Sequence, residues 1–190
     1  MAIEIELKAA VDEGELEGLK KRLFTLGVFL HSFEKRDIYF AFSPGAGFHL
    51  GHVRVRREKT EREGLESEAI FVTQKHKHIK AGIEVNKELE FSVSSGEVFE
   101  DFLRQIGMEP FLEKEKLGWA WRVPEPAAAA ILAELLQVKP LGWFIELEIL
   151  AQREEDVAGS RAHLLAFLAE LGIPPEKIEA RTYSQMLGEH

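Results

Sequence analysis

Cysteine is absent from the 190 residues, which removes disulfides, thiolate metal sites and cysteine nucleophiles together. Long apolar runs are missing too. No stretch approaches the roughly 20 residues needed to span a bilayer, and the first residues lack the charged-then-apolar pattern of a secretory leader. A cytoplasmic location with no membrane partner is the resulting expectation. Positive charge is scarce: 24 Lys and Arg stand against 33 Asp and Glu, a formal net charge of −9. That balance speaks against a broad nucleic-acid footprint. It still permits a small anionic ligand, because a local basic cluster or a bound cation outweighs a mean field. No internal repeat is visible, and the length suits a single domain over residues 1–190 with an ample core.

What the chain does have is alternation. Ile3 to Val11 reads IEIELKAAV, so Ile3, Ile5 and Leu7 share one face of a strand while Glu4, Glu6 and Lys8 share the other. Trp143 to Ile149 repeats the pattern, with Glu146 and Glu148 on the polar side. Val53 and Val55 oppose Arg54 and Arg56; Ile83, Val85, Leu89 and Phe91 oppose Glu84, Asn86, Glu88 and Glu90. Ala69 to Lys75 and Phe111 to Arg122 are further strands, the first with Thr73 and Lys75 on one side, the second with Lys114 and Lys116.

Helical spacing places Leu16, Leu19, Leu23 and Leu26 on one stripe, ended by Gly27. A Ser94/Glu97 capping box opens a second helix through Ile106. The Ala- and Leu-rich segment Pro124–Gln137 reads as helix, as do Glu154–Leu171 and Pro175–Leu187. Thr60 to Glu68 reads as a solvated hairpin loop, and Ser43 to Gly51 as a Gly- and Pro-punctuated connector. His76 and His78, flanked by lysines, read as exposed rather than metal-binding. Leu164, Leu165, Phe167, Leu168 and Leu171 suit either a homodimer contact or cover for the sheet, and cover is the expected use.

Seven or more alternating strands with interspersed helices predict an α+β fold. A closed antiparallel barrel explains why so many strands keep one charged face; solvated faces of an open sheet are the plainer alternative. In a barrel the charged faces line a wet tunnel. Its acids would be Glu4, Glu6, Glu88, Glu90, Glu146 and Glu148. Its bases would be Lys8, Arg54, Arg56, Lys75 and Lys116, with Lys87 and Lys114 beside them. Hard carboxylate oxygens without cysteine select Mg²⁺ or Mn²⁺ over zinc. Several Lys and Arg suit an anion with many oxygens, and a polyphosphate fits best.

These residues resemble the CYTH superfamily of triphosphate tunnel metalloenzymes, which includes class IV adenylyl cyclases and thiamine triphosphatases. The resemblance rests on Glu4-Ile5-Glu6-Leu7-Lys8, then Arg36-Asp37-Ile38-Tyr39-Phe40, Val53 to Glu58, Val72 to Lys75, Lys87 to Glu90, Leu141 to Glu148, and Thr182 to Leu187. It implies a closed eight-stranded antiparallel β-barrel with helices packed outside, whose tunnel holds a triphosphate compound (ATP, thiamine triphosphate or tripolyphosphate) and one or two divalent ions. Glu4, Glu6, Glu88, Glu146 and Glu148 then correspond to metal-facing acids, and Lys8, Arg54, Arg56, Lys75 and Lys116 to phosphate-facing bases. Tyr39 and Lys75 match a base dyad of the thiamine triphosphatases, so Lys8, Tyr39 and Lys75 are the candidate catalytic side chains. Class IV adenylyl cyclase is the activity toward which the resemblance leans, with inorganic or thiamine triphosphatase as the alternative and non-catalytic polyphosphate binding as a third. Two departures stand out: Lys116 replaces a usual Arg, and an Asp expected before the last acidic pair is absent, with Leu136 at its place and Glu134 nearest.

Overall fold

A computed structural model describes residues 3–42, 52–80, 83–124 and 129–188. The connector at Ser43–Gly51 lies outside the described residues, as do the side chains of residues 75–80, 83–85, 87 and 88. Eight strands run in chain order: β1 (Ile3–Val11), β2 (Val28–Ala41), β3 (Val53–Arg62), β4 (Leu65–Lys80), β5 (Ile83–Ser92), β6 (Glu109–Val123), β7 (Ile131–Lys139) and β8 (Gly142–Ala151). Four α-helices accompany them: α1 (Leu16–Leu26), α2 (Gly96–Gln105), α3 (Val157–Glu170) and α4 (Tyr183–Gly188). No helix among the described residues is long and apolar enough to cross a membrane.

The strands pair antiparallel in the spatial order β1-β5-β4-β3-β2-β6-β7-β8. β1 pairs with β8 along its whole length, from Ile3↔Ala151 to Val11↔Trp143. Among the described residues its other edge meets β5 over Ile3–Glu6. The eight strands thus close into one ring, as expected, with a β1–β5 seam that is short among the described residues. Past Glu6 that outer edge of β1 takes the C-terminal segment instead: Ala9 bridges Ile178, and the Glu179 N–H donates to the Lys8 carbonyl at 3.0 Å.

The alternation of each strand sorts its side chains between two environments. Outward-facing Ile5, Leu7, Ala133, Leu135, Ile145 and Leu147 are buried beneath α1 and α3, which contribute Leu19, Leu23, Leu164, Phe167 and Leu168. The apolar stripe of α3 is thus consumed as cover for the sheet. α2 covers Ile38, Phe40 and Val55 through Leu103. The inner faces carry the charges.

Four local expectations are corrected. The expected helix Pro124–Gln137 is replaced from Ile131 onward by β7, paired between β6 and β8. Ile131, Ala133 and Leu135 lie under the helices, while Leu136 and Val138 lie in a second apolar cluster. With both faces apolar no alternation survives, and tertiary pairing overrides the helical preference of Ala and Leu. Thr60–Glu68 is mostly strand, because β3 and β4 pair out to Arg62↔Leu65 and only Glu63-Gly64 turns. The helix cap is Ser95, whose Oγ accepts from the Val98 N–H at 3.4 Å. Pro175–Leu187 holds one short turn, Pro175–Lys177, and then α4.

Gly118 marks the tightest packing between β6 and β7. A Cβ there would sit 2.5 Å from the Leu135 carbonyl oxygen and 2.8 Å from the Leu136 Cβ. Those are atoms of the sheet itself and yield only by moving a strand. Gly118→Ala should therefore destabilise by about 1–3 kcal/mol, read as a lower midpoint in urea denaturation; an unchanged midpoint would contradict this packing.

Candidate functional site: the charged interior

β2 positions the centre of the site. Its Lys35, Asp37 and Tyr39 share the inner face and are all buried. Asp37 has no exposure and accepts from Arg56 of β3 through Nε at 2.7 Å and Nη2 at 3.0 Å. Lys114 of β6 stands 3.1 Å from Asp37 Oδ2, the oxygen that also accepts from Arg56 Nη2, and donates to the Tyr39 hydroxyl at 2.9 Å. Burial alone would raise the Asp37 carboxyl, but Arg56 and Lys114 outweigh it and hold it well below the usual range. Burial brings the Lys114 ammonium below its ordinary value. Burial works to raise the Tyr39 phenol, yet the cations Lys114 and Arg54 bring it below its ordinary value.

A second group lies on β6, β7 and β8. Lys116 donates to both oxygens of Glu146 at 2.8 Å, and Lys35 donates to Glu134 at 2.6 Å. Glu134 and Glu146 are register partners across β7 and β8, so two lysine–carboxylate pairs sit side by side. Burial opposes ionisation of Glu146, but Lys116 prevails and lowers its pKa. The Tyr183 ring of α4 lies over the ammonium groups of Lys116, Lys8 and Lys114, at 4.8, 5.4 and 5.4 Å from its centre. Cations stacked against an aromatic face are attracted by its quadrupole. Burial, followed by the Glu146 carboxylate, holds the Tyr183 phenol well above its ordinary range.

Further polar contacts continue the inner faces. Arg54 donates to Thr73 Oγ1 at 2.9 Å, and Thr73 donates to Glu90 at 2.7 Å. The Glu90 side chain is 41% exposed. Asn86 donates to Glu4 at 3.0 Å. Phe33, Ala120, Leu136, Val138, Phe144 and Tyr183 pack together as an apolar cluster. Five of these six continue the inner faces that carry Lys35, Lys116, Glu134 and Glu146, by strict alternation along β2, β6, β7 and β8. Hydrocarbon and charge are therefore interleaved along those four strands.

The sequence-predicted residues fall into place as follows. Glu4, Lys8, Arg54, Lys114, Lys116 and Glu146 are buried inside, with Arg56 nearly so. Glu6 and Glu148 are half-buried register partners on β1 and β8. Tyr39 is joined to Lys114; the side chains of Lys75, Lys87 and Glu88 lie outside the described residues. Sequence reasoning missed Lys35, Asp37 and Glu134 as members of the site. For Lys35 and Asp37 the signal was the two-residue spacing to Tyr39.

The family model for the CYTH domain matches residues 2–183. The chain belongs to the CYTH family. Solved structures agree with the fold. PH1819 protein from Pyrococcus horikoshii OT3 is 23% identical, with a TM-score of 0.79 and 98% of each chain covered. A candidate adenylate cyclase from Vibrio parahaemolyticus is 16% identical at a TM-score of 0.72, again covering 98% of both chains. HpAC1 from Hippeastrum, a candidate adenylyl cyclase with a dominant triphosphatase activity, is 17% identical at a TM-score of 0.60, covering 95% of this chain and 91% of its own. No curated protein sequence matches the chain significantly.

Membership of the CYTH family implies an enzyme that acts on a triphosphate with a divalent cation. Several of the described carboxylates are already engaged by the chain's own cations. Among the described residues no three His, Asp or Glu side chains gather around a common point. Glu146 is engaged by Lys116, Glu134 by Lys35, and Asp37 by Arg56 and Lys114.

Proposed function

We propose that the protein cleaves a triphosphate compound held inside the sheet, and that its reaction is hydrolysis at the terminal phosphate. The observation that carries this reading is the convergence of buried cations, Lys8, Lys35, Arg54, Lys114 and Lys116 with Arg56 beside them. Buried ammonium and guanidinium groups recognise an anion with many oxygens, and Arg supplies paired donors where Lys supplies a point charge. Lys75 and Lys87 are expected to extend this set from β4 and β5. Mg²⁺ or Mn²⁺ is the ion expected of the hard oxygens of Glu4, Glu6, Glu88, Glu90, Glu146 and Glu148.

Hydrolysis is favoured by the contact between Lys114 and Tyr39. Water attacks the terminal phosphorus, the bond to the bridging oxygen breaks, and the water proton passes to Lys114 once its ammonium, brought below its ordinary value by burial, has given up its own proton. The lowered Tyr39 phenol steadies that amine, in place of or together with the expected Tyr39–Lys75 dyad. Arg54, Arg56 and Lys8 hold the charge that develops on the departing oxygens. Ring closure of ATP to cyclic AMP and pyrophosphate is the second reading; the same cations serve it, and likeness to the Vibrio candidate cyclase supports it. A cytoplasmic location accords with either.

The test is to supply Mg²⁺ or Mn²⁺ with ATP, thiamine triphosphate and inorganic tripolyphosphate in turn, and to identify the products. Orthophosphate release without a cyclic nucleotide is the expected result. Cyclic AMP with pyrophosphate would establish the cyclase reading, and absence of turnover on all three would overturn both.

A further inference from the structure

The cation positions of this interior are filled by the chain's own lysines. Lys116 lies 2.8 Å from both oxygens of Glu146, and Lys35 lies 2.6 Å from Glu134 beside it. All four side chains are buried. Each is therefore wanted by two partners: a divalent cation would compete with Lys116 for Glu146, and a polyphosphate would compete with Glu146 for Lys116.

We propose that Lys116, backed by Lys35, is an internal counter-cation that blocks divalent-cation binding until a polyphosphate draws it off its carboxylate. This rests on the triphosphate reading above and adds an order of dependence to it. A metal ion arriving alone would displace a buried ammonium and leave it unpaired. A polyphosphate arriving alone would strip Glu146 of its partner. Either orphan is costly, because an uncompensated buried charge is among the most destabilising features a fold can carry. When both arrive, Lys116 moves from carboxylate to phosphate, the cation takes its place at Glu146, and every buried charge remains paired. The two ligands then strengthen one another reciprocally, as linkage requires. Tyr183 suits the exchange, since its ring faces the Lys116 ammonium at 4.8 Å and needs no particular hydrogen-bond direction from it.

The test uses the full chain in phosphate-free buffer and Mn²⁺ alone, with unbound Mn²⁺ counted by electron paramagnetic resonance. Lys116→Met keeps the length of the side chain and removes its charge. It should bind Mn²⁺ about ten-fold or more tightly than the unaltered protein, within the usual range of coupling between sites. Equal or weaker binding by Lys116→Met would make the Lys116–Glu146 pair merely structural and overturn the proposal. The converse variant guards against misfolding of the first. Glu146→Gln releases Lys116, so tripolyphosphate measured calorimetrically in EDTA should bind about ten-fold more tightly; no gain there would equally overturn it. Neither readout involves turnover. A gain in Mn²⁺ affinity with no cleavage of any triphosphate would uphold the counter-cation and reject the enzymatic reading, and cleavage without the gain would do the opposite.

Discussion

Asp37→Asn should lower the stability of the protein by about 3–5 kcal/mol at neutral pH, the usual cost of breaking a buried ion pair from one side. Asp37 is wholly buried and holds Arg56 by two hydrogen bonds while Lys114 stands 3.1 Å away. Neutralising it leaves two buried cations facing each other without their common anion. The acid dependence gives a second check. The folded-state pKa of Asp37 is depressed, so its contribution is fully present above the unfolded value of about 3.9 and is lost as pH falls through the lower folded value. The difference between the two proteins in urea denaturation should therefore be largest near neutrality and shrink on acidification. A difference that is small and independent of pH would mean that Asp37 is not the anchor of Arg56 and Lys114.

Lys114→Met should reduce triphosphate turnover by about 10²–10⁴-fold, the range that a positioned proton acceptor contributes. Lys114 touches both Tyr39 and Asp37, and burial lowers its pKa. In the unaltered protein turnover should rise with pH as the Lys114 ammonium gives up its proton. The variant should lose that rising limb along with most of its rate. A variant that loses rate but keeps the limb would assign Lys114 to charge stabilisation alone and return the proton to another group.

The legibility of these residues in the sequence followed from how each strand is covered. β1 and β8 were readable because helices bury one face and the charged interior takes the other, so hydrophobicity alternates cleanly. β7 was not, since hydrocarbon lies on both of its faces and nothing alternates. That misreading concealed Glu134, whose inward position follows only once the segment is a strand opposite Glu146. β2 reads as a strand around Asp37-Ile38-Tyr39-Phe40, but the inward side of Lys35 and Asp37 was hidden for the opposite reason. Glu34 and Arg36 are exposed on its outer face while Lys35 and Asp37 are buried on its inner one. Charge on both sides masks the period. The shortness of the β1–β5 seam was beyond sequence reasoning, because that edge of β1 meets Ile178 at Ala9, 169 positions along the chain.

The Tyr183 ring is carried by α4, the last helix, yet it faces ammonium groups of two distant strands: Lys8 on β1 and Lys114 and Lys116 on β6. The tail of the chain is therefore a working wall of the interior. Trimming the protein back past Tyr183 would strip three buried ammonium groups of the aromatic face they rest on.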